Sequence, residues 1–153
     1  MRQNDFWGCG LTLEWEERTV PTVPKLVAFI LCDEIHRDPA THKSYLLGTF
    51  NQVMVREFPG KHEHMHVYLS LVNGHGKAHV LLLLTCDNGA TEVFRAQGEI
   101  EFANPLAVVE MDIEIRNLLL PKDGEYQFEL TCDGEIVALR PFRVIAVRQE
   151  LGK

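Results

Sequence analysis

The sequence predicts an all-β fold, an immunoglobulin-like antiparallel β-sandwich of about nine strands. One segment predicts it most directly. Leu119, Leu120, Pro121, Lys122, Asp123 and Gly124 form a turn that opens onto Tyr126, Phe128 and Leu130, alternating with polar residues, before Asp133-Gly134 reverses the chain. A glycine followed by Tyr-x-Phe-x-Leu is how such a sandwich enters a late strand, with the tyrosine closing the corner. The second observation is regular punctuation, with turn signals roughly every ten residues from Lys25 onward. The third is the lack of any helical apolar period of useful length.

The elements follow in order. Residues 26–32 are apolar and β-branched enough for a buried strand, and 33–43 read as a polar connection interrupted by Pro39. Residues 44–50 and 52–58 are the next strands, the second closed by Phe58-Pro59-Gly60. Residues 64–72 and 77–86 read as a hairpin across Asn73-Gly74-His75-Gly76. Asp87-Asn88-Gly89 turns the chain into 91–96, and 99–102 is a short strand. Residues 107–115 alternate, with Val109, Met111, Ile113 and Ile115 inward and Val108, Glu110, Asp112 and Glu114 outward. Residues 126–132 and 135–139 form a hairpin over Asp133-Gly134, and Pro141 breaks the run before a final strand at 142–147.

At 153 residues the chain fits one domain with a full core. Residues 1–24 read as an N-terminal arm and 25–153 as the sandwich domain. In the arm Leu11, Leu13 and Trp15 alternate with polar residues, and Pro21 and Pro24 hold the backbone extended. Trp7 and Trp15 are both there and are expected to bind a partner, either another subunit or another protein.

The formal charge of −7 argues against nucleic acid as a partner. The longest apolar run, residues 80–84, is too short to cross a bilayer, and residues 1–7 lack a signal peptide's apolar core. The four cysteines, Cys9, Cys32, Cys86 and Cys132, show no close spacing and read as reduced thiols of a cytoplasmic protein. Cys32, Cys86 and Cys132 each end an apolar run, as small residues filling the last core-facing site of a strand.

Three clusters could carry chemistry. In His62-Glu63-His64-Met65-His66, a period of two places His62, His64 and His66 on one face, about 6.5–7 Å apart. Two such imidazoles can converge on a divalent transition metal, with His79 from across the following hairpin as a further ligand. The plainer alternative is a solvated histidine row. The segment 33–42 collects Asp33, His36, Asp38 and His42, but turn formation selects the same residues. Glu110, Asp112 and Glu114, with Glu99 and Glu101 alongside, read as a solvated acidic face.

Nucleophile-elbow, phosphate-loop and HExxH patterns are all absent from the sequence. The expected function is therefore non-enzymatic, a protein-binding or self-assembling module, most simply a homo-oligomer built through the arm, with no cofactor. The alternative is a metal-binding protein or metal-dependent enzyme using the histidine strand 62–66. A carbohydrate-binding sandwich would expose aromatic platforms, whereas the aromatic residues here fall mostly at core-parity positions.

The order of landmarks also resembles a known family. Leu31-Cys32-Asp33, Asp38-Pro39-Ala40-Thr41, Leu47-Gly48-Thr49-Phe50, Phe58-Pro59, Gly124-Glu125-Tyr126, Asp133-Gly134 and Arg140-Pro141-Phe142 are similar to an uncharacterised bacterial family, a domain of unknown function. The resemblance spans residues 25–147 and implies a small intracellular β-sandwich. It carries no activity, cofactor or catalytic residue.

Overall fold

A computed structural model describes residues 23–148. Trp7, Trp15, Cys9 and the rest of the proposed arm up to residue 22 lie outside the described residues, as do 149–153. Among the described residues nine strands form two facing sheets: β1 Lys25–Arg37, β2 Ser44–Phe50, β3 Gln52–Val55, β4 Gly60–Val72, β5 Gly76–Cys86, β6 Thr91–Phe102, β7 Val109–Leu120, β8 Gly124–Cys132 and β9 Glu135–Ala146. One sheet has the order β2-β1-β4-β7 and the other β3-β9-β8-β5-β6. No helix among the described residues is long and apolar enough to cross a membrane.

The topology is immunoglobulin-like. β5, β8 and β9 hold the places of strands C, F and G, and β4 and β7 those of B and E in the facing sheet. β3 pairs parallel to the last strand, while the other pairings are antiparallel. The tyrosine corner is present: Tyr126 Oη donates to the Lys122 carbonyl at 2.5 Å and accepts from the Lys122 amide at 3.3 Å. That contact ties the loop between the sheets to the first turn of β8.

Period-two alternation builds the core. Met65, Val67, Leu69 and Leu71 of β4 face Val80, Leu82 and Leu84 of β5 and Phe128 and Leu130 of β8, all buried. Phe128 sits centrally, its ring 5.9 Å from that of Phe29 and 5.7 Å from that of Phe142. Each such side chain, fully buried, contributes about 1.5–3 kcal/mol, before the entropy of ordering it is subtracted.

The structure corrects several expectations. The residues 64–72 and 77–86 do not pair as a hairpin: β4 pairs with β1 and β7, and β5 with β6 and β8. The turn at Asn73 to Gly76 is an arch between the sheets, with Gly74 so close to the Phe102 ring that a Cβ there would collide with it. The polar run 33–37 is strand, and β1 and β2 form a long hairpin over the turn at Asp38, whose Oδ1 accepts from the Ala40 amide at 2.8 Å. Residues 91–102 make one strand, since Gly98 stays in register opposite Val80. β9 runs through Pro141, which lies before the first β3 pair at Arg143, where no donor is needed.

The β1–β2 hairpin also curls. Cys32 is the last β1 residue paired with β4, opposite His66, which itself lies opposite Glu114 of β7. In a flat sheet Arg37 and Glu110 would lie on opposite sides of that level, roughly 30 Å apart along the strands. Yet Arg37 Nη2 donates to Glu110 Oε2 at 3.0 Å. The distal hairpin therefore bends back over the outer face of the four-stranded sheet, and Gly48, at φ 66°, supplies a left-handed residue within the bend.

Candidate functional site

The bend partly covers a ladder of polar side chains on the outer face of β4 and β7. His64, His66 and Tyr68 project from β4, and Glu110, Asp112 and Glu114 from β7. Backbone register sets His66 opposite Glu114 and Tyr68 opposite Asp112. The side chains instead pair diagonally. His64 Nε2 lies 2.7 Å from Glu114 Oε1, His66 Nδ1 2.7 Å from Asp112 Oδ1, and Tyr68 Oη donates to Glu110 Oε1 at 2.7 Å. Each β4 side chain thus leans to the next carboxylate along β7, within reach because diagonal neighbours are only about 7–8 Å apart.

Arg116 donates through Nε to Glu114 Oε1 at 2.7 Å, so this carboxylate serves both His64 and Arg116. Those two hydrogen bonds, that from His64 foremost, hold the Glu114 carboxyl below its ordinary value. Burial, reinforced by the hydrogen bond to Glu110, pushes the Tyr68 phenol up. His66 is 8% exposed, whereas His64 is exposed. Their rings stand edge to face, 4.8 Å apart.

Four candidate metal ligands were expected, and the structure brings two of them together. His62 does not share the face of His64 and His66. Gly60 and His62 of β4 turn inward with Leu118 and Leu120 of β7, and the parity changes at Glu63 opposite Asn117, where Asn117 adopts φ 54°. His62 therefore packs against Phe50 at 5.9 Å, and its Nε2 is buried without a hydrogen-bond partner among the described residues. Burial lowers its pKa, partly opposed by the charge of Asp33. His79 lies on β5 in the facing sheet, exposed and opposite Glu99. The expected proximity depended on a β4–β5 hairpin that does not form.

The acidic row is likewise not merely a solvated face, because it partners the histidines. Glu99 and Glu101 belong to β6 in the other sheet, and Glu99 faces Lys77 at 3.7 Å. Cys86 and Cys132 are core residues as expected, but Cys32 is not. It sits on the outer face next to His66, fully buried and unbridged. Burial raises its thiol pKa, and the charges of Asp112 and Asp33 add to that. This disfavours a thiolate.

Sequence reasoning treated the two rows separately and so missed Asp112 and Glu114 as partners of His66 and His64. The available signal was that both rows have a period of two and similar length, so one strand pairing would align them along their whole extent.

Fold and site together define an immunoglobulin-like β-sandwich whose four-stranded sheet carries a histidine–carboxylate ladder on its outer face. The chain belongs to a family of unknown function (DUF6941), which it matches over residues 27–145. No curated protein matches it. Among solved structures it is similar to the sensor domain of an anti-sigma factor from Pseudobacteroides cellulosolvens, at TM-score 0.40 and 12% identity, covering 82% of this chain and 98% of that one. An immunoglobulin-like protein from Pseudomonas aeruginosa aligns at TM-score 0.35 and 9% identity, covering 82% and 98%. A CARDB domain from Pyrococcus furiosus, solved in complex with di-metal ions, aligns at TM-score 0.38 and 13% identity, covering 80% and 90%.

Proposed function

We propose that this domain works by binding rather than catalysis, as a self-assembling module whose N-terminal arm pairs with a second copy. One observation carries the reading. Among the described residues β6 and β7 are sheet edges without a further strand beside them, and between them lies a cleft of about 450 Å³ with Val80, Leu82, Ile100, Met111 and Ile113 in its lining. Unpaired strand edges are templates for strand addition.

The chain enters the domain near one end of this cleft. Val23 and Pro24 line a depression together with Phe102, the last residue of β6. An extended segment of residues 1–22 could reach roughly 75 Å, against about 40 Å for the length of β7. The alternation of Leu11, Leu13 and Trp15 would present one apolar face to such a cleft. Three buried thiols, none of them bridged, are compatible with a reducing compartment, and we place the protein in the cytoplasm.

The test is native mass spectrometry of the tag-free full chain and of a chain lacking residues 2–22. An oligomer that becomes a monomer on deletion supports the reading. Two monomers would remove self-assembly, and two identical oligomers would remove the arm's role in it.

A further inference from the structure

The geometry points to a site for one divalent transition-metal ion on the outer face of the four-stranded sheet, held by His64, His66 and Glu114. One ligand atom from each of these side chains lies within 4.8 Å of the other two. Two imidazoles and a carboxylate suit zinc, cobalt or nickel, at bond lengths of about 2.0–2.2 Å. They do not suit calcium or magnesium, which require more oxygen ligands. The three side chains approach from two adjacent strands, leaving the solvent side for water.

A second, independent observation supports the assignment. The His66 side chain is 10% exposed, and its one hydrogen bond among the described residues runs through Nδ1 to Asp112. That bond orients the ring and leaves Nε2 as the nitrogen for an ion. Metal-bound histidines characteristically hold a carboxylate on the other ring nitrogen in this way. Asp112 is accordingly a positioning residue and not a ligand. On the far side the Tyr68–Glu110–Arg37 contacts continue the ladder, so both neighbouring carboxylates are already occupied.

Arg116 is the competitor. It shares Glu114 Oε1 with His64, at 2.7 Å in each case. Its side chain is 72% exposed and can swing into solvent, whereas His66 cannot. Metal binding would replace the Arg116 contact to Glu114 by a metal bond. This yields an expectation that a plain row of ion pairs does not share: removing Arg116 strengthens metal binding.

The experiment is calorimetric titration of chelator-treated, tag-free full-length protein with Zn²⁺, repeated with Co²⁺ to record the ligand-field absorption. One ion per chain is expected. His64→Ala, an exposed position that leaves the core intact, should cost more than the roughly 10–100-fold that loss of an outer-shell partner costs. Glu114→Gln should weaken binding as well, Arg116→Ala should tighten it, and His79→Ala should leave it unchanged. Absence of a stoichiometric ion overturns the site. So does binding that survives His64→Ala, or that His79→Ala weakens equally, since either marks dispersed surface affinity. None of these outcomes depends on the arm.

Discussion

His66 Nδ1 meets Asp112 Oδ1 at 2.7 Å, although the residue opposite His66 in the strand register is Glu114. This diagonal choice divides the labour on β7. Asp112 fixes the His66 ring, and Glu114 is left beside His64, where both can turn toward a common point. Had His66 paired straight across, Glu114 would have been consumed as its partner.

Asp112→Asn is therefore expected to lower Zn²⁺ affinity by about 10–100-fold while the sheet stays folded. The amide keeps the shape of the side chain but accepts more weakly from the His66 ring. Calorimetry beside a far-ultraviolet circular dichroism spectrum checks this. Undiminished affinity would mean that Asp112 does not orient His66 for metal.

A second expectation concerns His62. Burial holds the pKa of its imidazole below the ordinary value of 6.5, opposed in part by the charge of Asp33 and by a backbone hydrogen bond at His64. As pH falls through the ordinary value, the unfolded chain takes up a proton that the folded chain refuses. Stability from this group is thus present above that value and declines as pH falls toward the folded pKa. His62→Leu removes both this titration and the buried Nε2, so its stability should fall less than the parent's between about pH 7 and about pH 5. Urea unfolding at both values decides it, and equal losses would assign the acid sensitivity to other groups.

Tyr126→Phe tests the corner between β7 and β8. The phenol is buried and serves both the carbonyl and the amide of Lys122. Loss of the hydroxyl should destabilise by about 1–1.5 kcal/mol, with the denaturant slope unchanged. A midpoint equal to the parent's would show that the turn at Pro121 to Gly124 holds without it.

Most of the architecture was legible along the chain because alternation and turn chemistry are local. The strands from Tyr126 to Cys132 and from Val109 to Ile115, and the reversal at Asp133-Gly134, need only neighbouring residues to be recognised. What could not be read was how strands lie beside one another beyond such a tight reversal. The turn at Asn73 to Gly76 carries the same residues whether it closes a hairpin or arches between sheets, and the close approach of Gly74 to Phe102, which fits the arch, is non-local.

The candidate site divides along the same line. From the sequence alone came the histidines, their period of two and the separate acidic row. Tertiary structure alone decided that His64 and His66 face Glu114 and Asp112, that His62 turns inward and that His79 belongs to the other sheet. The physical reason is that a side chain's face is a property of one strand, whereas its partners are set by pairing with strands distant in sequence. A single parity change, at Glu63 opposite Asn117, then moves one histidine of the row out of the site and into the interior.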